Sequence, residues 1–196
     1  GIFTDLDNNE FVFWTPKPVI SLYTQRGCPF AGGCDFCTIM SGNNKANSKT
    51  RRSIGKTVED IGYYQKRYGT QYFSFGNETL SKDFMVSLAD ELEKRGMAAT
   101  IDGYARTDSF TTSSGVDHEA IRKIGKYFRF LQIGIESSDE ATLESMRKGR
   151  KPVNDSEIIK ALFESGTYPH AFLMTGFPPE QKEYESKPRE DYVNFY

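Results

Sequence analysis

The chain has 196 residues, of which 37% are hydrophobic and 27% charged, and a formal net charge of −2. This is the make-up of one large soluble domain with a real core, and so small a charge gives no strong nucleic-acid signal. No run approaches membrane-spanning length and no targeting segment is visible, so no membrane partner is expected.

Residues 1–17 are polar and aromatic without a clear period and read as a lead-in segment or interdomain linker. Beyond them, short apolar runs alternate with amphipathic ones, the pattern of βαβ units around a parallel sheet. A first strand fits residues 18–23, followed by a long loop that carries every cysteine. That loop runs into a basic stretch, Lys45 to Lys56, with five Lys or Arg, which reads as a solvated surface. A helix is expected from Thr57, where Thr57-Val-Glu-Asp60 resembles a capping box. A second strand fits residues 71–75. Ser81 caps the next helix, whose Phe84, Leu88 and Leu92 share one face, and Gly96 ends it. A third strand lies near residues 98–102 and a helix starts around Asp117. A strong strand covers residues 128–135. A helix from Ser138 or Asp139 to Lys148 ends at Gly149. A further helix fits residues 154–165, with Asn154 and Glu157 spaced as a cap, before a fifth strand at 170–174. The fold class is therefore α/β, a partial (β/α) TIM-like barrel of parallel strands; five strands are fewer than a full barrel needs, so either an edge strand goes unread or the chain stops short of the complete barrel at its C-terminus. The core spans residues 18–180, and residues 181–196 begin a further helix or extension.

Cys28, Cys34 and Cys37 fall within ten residues, spaced x5 then x2. Three thiolates with no fourth ligand suit a four-iron cluster that leaves one iron open, because iron–sulfur clusters are normally held by cysteine. Zinc prefers four closed ligands, and the two histidines, His118 and His170, are remote in sequence. A disulfide with one free thiol, or three buried structural cysteines, are the remaining alternatives. Gly32 and Gly33 give the loop freedom to wrap a bulky group, and Pro29 stiffens it.

In α/β barrels the chemistry gathers where strands meet the loops that follow them. After the second strand come Gly76, Asn77 and Glu78. Gly76 permits close approach and Glu78 can pair with an ammonium group, or the segment is a plain turn. After the third strand, Arg106 offers a planar fork for a carboxylate or forms a surface salt bridge with Asp108. After the fourth, Glu136 and Ser137 can hold a ribose, or a serine there caps the next helix. Lys148 falls at the far end of that helix, away from the strand end. After the fifth strand, Thr175-Gly176-Phe177-Pro178-Pro179 makes a rigid loop suited to a flat ring. His118 reads as a surface residue. His170 reads as a packed residue or a substrate-facing acid or base.

Taken in order, RGCPF…CDFC, FGNETL, YARTD, GIESSDEATLESMRKG and TGFPPE resemble the radical S-adenosylmethionine (SAM) superfamily. The likeness is greatest to its MiaB-like branch and to the radical enzymes that follow a cobalamin-binding domain. The resemblance implies an enzyme in which Cys28, Cys34 and Cys37 hold a [4Fe–4S] cluster and SAM chelates the open iron. It places Gly76, Asn77 and Glu78 at the SAM amino group, Glu136 and Ser137 at the ribose, and Lys148 or Arg106 at the carboxylate. Phe36 and Phe177 would lie near adenine. It implies reductive cleavage of SAM to a 5′-deoxyadenosyl radical that takes hydrogen from an unknown substrate, fed by a donor such as flavodoxin or ferredoxin. The cysteine spacing departs from the family's x3 then x2, and Asn77 stands where the family carries glycine. Cobalamin would enter only through a domain outside this chain. Reduced thiols and the lack of an export signal point to the cytoplasm and to oxygen sensitivity.

Overall fold

The computed structural model describes residues 2–4, 10–12, 18–28, 30, 33–37 and 50–177. Pro29, Gly32, residues 45–49 of the basic stretch and the C-terminal extension lie outside the described residues. The lead-in contains an antiparallel pair, β1 (Ile2–Thr4) with β2 (Glu10–Val12), which its lack of period did not predict. Pairs this short carry too few residues to show alternation.

The chain then enters β3 (Ile20–Leu22) and a small antiparallel pair, β4 (Gln25–Arg26) with β5 (Thr50–Arg51). The first long helix, α1, runs Ile54–Tyr68 and starts three residues before the expected point. Ser53 is its cap, its hydroxyl accepting from Lys56 N, while Thr57 sits one turn inside with its hydroxyl on the Ser53 carbonyl. The chain continues through β6 (Tyr72–Phe75), α2 (Lys82–Lys94) and β7 (Thr100–Ala105). Ser81 caps α2 as expected, accepting from Phe84 N. A short 3-10 turn (Thr107–Phe110) and the hairpin β8 (Thr111–Thr112) and β9 (Gly115–Val116) precede α3 (His118–Ile124), capped by Asp117. The last elements are β10 (Phe128–Glu136), α4 (Glu140–Ser145), α5 (Asp155–Glu164) and β11 (Tyr168–Leu173). Asn154 stands at the start of α5 but makes no side-chain cap, because its backbone is left-handed there (φ 65°).

Five strands form one parallel sheet in chain order, β3-β6-β7-β10-β11. Each crossover steps to the adjacent strand in the same direction. Right-handed crossovers of that kind put every helix on one face. The sheet therefore curls with helices outside, as a half-barrel open at both edge strands among the described residues. The core lies between sheet and helices. Phe73, Phe75, Ile101, Leu131, Ile133 and Ile135 point outward onto Val58, Ile61, Leu88, Leu92, Ile121, Ile124 and Leu162. Fully burying each such side chain contributes roughly 1.5–3 kcal/mol.

Alternation leaves the other face to Ser74, Asp102, Phe130, His170 and Phe172. The ends of β3, β6 and β7 are tied together. Gly76 N donates to Leu22 O at 3.0 Å and Leu80 N to Tyr104 O at 2.7 Å.

Candidate active site

The strand ends carry the chemistry, and the exit of β10 is shaped first. Glu136 has φ 67° and is the centre of a three-residue turn closed by Ser137 N donating to Ile135 O at 2.9 Å. Non-glycine residues are uncommon in that region and the strain must be held by surrounding contacts. Met174 N, at the exit of β11, donates to Glu136 O at 2.8 Å and supplies one. Arg150 supplies another. Its Nη1 donates to both carboxylate oxygens of Asp155, at 2.8 and 3.0 Å and almost wholly buried, and its Nη2 donates to Ile135 O.

The next helix is short. α4, capped by Asp139 accepting from Thr142 N at 2.7 Å, ends after two turns. Arg147 N donates to Glu144 O and Lys148 N to Leu143 O, both at 2.9 Å, with Arg147 left-handed at φ 49°. This is a Schellman ending, with arginine where glycine is usual. The stop therefore comes at Arg147 and not at Gly149, and the chain reverses toward the sheet. Lys148, expected far from the strand end, returns to it. Its Nζ donates to Glu136 Oε1 at 2.7 Å, and both side chains are buried, 7% and 9% exposed. A Cβ on Gly134 would meet Glu136 Oε1 at 2.7 Å and Lys148 Nζ at 2.9 Å, so the glycine makes room for the pair.

The cysteine loop rests on this same turn. Asp35 N donates to Met146 O at 2.9 Å, and the Asp35 carboxylate accepts from the Arg147 guanidinium. Gly149, at φ 68°, leaves the space that the Phe30 ring fills. Arg106 lies over that ring at 4.4 Å, forks onto Asp108 at 2.9 Å, and donates to Lys148 O at 2.8 Å. Arg106 thus makes the expected salt bridge, yet its side chain is only 11% exposed and braces the site. Phe36 faces Lys148 Nζ at 5.6 Å from its ring centre. All three thiols are free and half-buried. Burial pushes the Cys34 thiol up, while Lys148 and then Arg106 pull it back down. Gly33 has φ 64°, the freedom expected of it, and Cys37 N donates to Cys34 O at 3.0 Å.

After β6 the three expected residues differ in what they offer. Asn77 is buried and its side chain turns inward, accepting from Thr24 N at 3.0 Å and donating to Thr24 Oγ1 at 2.7 Å. It staples the exit of β3 to the exit of β6. Gly76 lies under the exposed Tyr23 ring. Glu78 is the open group, for its Oε2 is shielded from water and has no hydrogen-bond partner among the described residues. Such an orphan costs about 1–3 kcal/mol unless a ligand supplies a donor. Ser137 is buried at the turn, with Oγ accepting from Asp139 N at 3.1 Å. Phe177 follows β11, half-buried.

The sequence of the chain matches the model of the radical SAM superfamily over residues 22–186. The chain belongs to this superfamily. Radical SAM enzymes use a [4Fe–4S] cluster and SAM. The orphaned Glu78 oxygen and the three free thiols are groups of the kind such cofactors engage, although among the described residues no three Cys, His, Asp or Glu side chains are gathered into a metal-holding group. The chain is 27% identical over 175 residues to the anaerobic magnesium-protoporphyrin IX monomethyl ester cyclase of Synechocystis, covering 88% of this chain and 33% of that protein. It is 29% identical over 169 residues to the ribosomal protein uS12 methylthiotransferase RimO of Sulfurovum, covering 82% and 37%. The chain thus spans about a third of the length of these curated relatives. Among solved structures it resembles the cobalamin-dependent radical SAM enzyme OxsB at TM-score 0.67 and 16% identity, covering 88% of this chain and 29% of that one. It resembles methylornithine synthase, PylB, at TM-score 0.55 and 15% identity, covering 90% and 50%. Both likenesses concern the fold, which in this radical SAM chain is the expected partial barrel.

Sequence reasoning had missed the packing that joins the two most diagnostic segments. Phe30, Asp35 and Arg147 carry it, and only the run of basic residues in MRKGR hinted at acidic partners elsewhere in the chain. His118 is on the surface, with Nε2 3.1 Å from Glu157. His170 is exposed on the sheet face opposite the helices and is not packed in the core. No described helix is long and apolar enough to cross a membrane.

Proposed function

We propose that Cys28, Cys34 and Cys37 hold a [4Fe–4S] cluster and that the strand ends bind SAM for reductive cleavage. The observation that carries this reading is the seating of the cysteine loop on the turn that returns Lys148 to Glu136. Bound there, the cluster and SAM would supply a 5′-deoxyadenosyl radical able to take a hydrogen atom from substrate. The chain's own residues bind and exclude. Glu78 offers its orphaned oxygen to the SAM amino group. Glu136 and Ser137 take the ribose hydroxyls, and Lys148, with Arg106 behind it, faces the carboxylate. Phe36 and Phe177 flank the adenine, by ring or by backbone. The Glu136–Lys148 pair itself is shielded from solvent, where its electrostatic effect on a bound group is stronger than in water. An electron donor of the flavodoxin or ferredoxin kind serves the cluster. Since relatives bearing this core are named for a cyclase and a methylthiotransferase, the core accounts for SAM cleavage and not for the final product.

The test is anaerobic reconstitution with iron and sulfide, then SAM and dithionite, with 5′-deoxyadenosine as the readout. Product is expected from the wild type and none from Cys34→Ala. Zinc bound in place of iron, or four irons per chain with no product, would overturn the reading.

A further inference from the structure

The sheet face away from the helices carries a carboxylate to which the proposed cofactor chemistry gives no role. Asp102 lies on β7 four residues before Arg106, roughly 13 Å down the strand from it. The two share a face by alternation. Asp102 Oδ1 accepts from Ser74 Oγ at 2.7 Å, and no basic side chain pairs with it among the described residues. Burial raises its pKa above the ordinary carboxylate value, and the Ser74 hydrogen bond only partly offsets this. A half-buried carboxylate with one hydroxyl for company is stabilised by a cation that arrives from outside.

Beside it runs a ladder of rings. Phe130, register partner of Asp102, stacks with Tyr168 at 6.4 Å and meets His170 edge-on at 5.9 Å. His170 stacks with Phe172 at 5.0 Å. Phe172 pairs with Gly134, the residue that makes room for Glu136 and Lys148. The ladder therefore leads from Asp102 up to the SAM site. The stacked His170–Phe172 pair presents a flat, polarizable surface, with Phe130 standing edge-on to it. Tyr168 and Phe172 remain exposed in the absence of anything on that face.

We propose that this face binds a substrate with a flat conjugated ring and a protonated amine, the ring on the His170–Phe172 side and the amine on Asp102. The assignment rests on the SAM-cleavage reading above, since it is the SAM site that makes this face the substrate side. Carboxylate and rings act as specificity-determining groups. Asp102 anchors one end, and the ring is thereby aimed at the strand ends.

The test is calorimetric titration of the anaerobically purified protein with tryptamine, indolepropionate and cyclohexylethylamine as probes. Tryptamine is expected to bind about tenfold or more tightly than either of the others, the scale of one charged hydrogen bond. Asp102→Asn keeps the shape and the Ser74 partner and should abolish the preference over indolepropionate. Phe172→Ala should abolish the preference over cyclohexylethylamine. Melting curves check that both variants fold. Iron per chain is measured on the same samples, so a protein without a cluster fails the earlier reading separately from this one. Equal binding of tryptamine and indolepropionate, binding of neither, or a preference unchanged in Asp102→Asn would overturn the proposal.

Discussion

Lys148 Nζ donates to Glu136 Oε1 across 2.7 Å, although a helix lies between the two residues in sequence. The pair is buried, with side chains 7% and 9% exposed. Removing one partner leaves a charge without compensation, which typically costs 3–5 kcal/mol, whereas removing both can be nearly neutral. Lys148→Met is therefore expected to lower the melting temperature sharply and to abolish SAM binding. The double variant Glu136→Gln/Lys148→Met should recover most of the stability and none of the SAM affinity. Thermal melts and equilibrium dialysis with SAM separate the two effects, and an affinity that returned with stability would show the pair to be structural only.

Gly149 concerns the cysteine loop. It is left-handed, and its missing Cβ is where the Phe30 ring sits. Gly149→Ala adds backbone strain of about 1–2 kcal/mol and displaces the ring. Arg106 then loses the surface it lies over. The expected outcome is a folded protein that, once loaded, gives up iron to a chelator several times faster than wild type. An unchanged rate would mean that Phe30 does not hold the loop.

The pH dependence of stability is testable at Asp117. Its carboxylate is held below the usual value, first by Lys82 at 2.7 Å and then by the backbone N–H of Ala120 that it caps. A depressed carboxylate contributes stability above its unfolded pKa, and that contribution is lost as pH falls through the folded value. Asp117→Ala should cost about 1 kcal/mol at pH 7, the usual value of a lost cap. The gap between variant and wild type should close as the pH drops below about 4. Denaturant melts at neutral and acid pH read this directly, and a gap that persisted in acid would argue against the carboxylate as its source.

Asn77 separates structure from ligand binding at the segment after β6. Its side chain is engaged by Thr24 on both polar ends. Asn77→Ala should therefore destabilise the protein by about 1–3 kcal/mol through unsatisfied buried groups. SAM affinity per folded molecule should fall far less than in Glu78→Gln. Dialysis with SAM on both variants checks the order, and the reverse order would place Asn77 in direct contact with the ligand.

The sequence by itself determined the alternation of strands and helices, the main parallel sheet and the loop that gathers the three cysteines. These are local properties. Apolar period shows which face of Leu88 and Leu92 is buried, and three cysteines in ten residues need no fold to be seen together. Even so, Ser53 displaced Thr57 as the start of α1, because two hydroxyl residues one turn apart offer the same signature and packing chooses between them. Only the tertiary structure decided what the strand ends do with their residues. Lys148 reaches Glu136 because α4 stops after two turns at a left-handed arginine, which composition does not announce. Asn77 turns inward because Thr24, 53 residues away in sequence, stands beside it. Asp102 stands beside Ser74 because two parallel strands are in one register. Such contacts join residues far apart in the chain, and their free energy belongs to the packed pair and to neither residue alone.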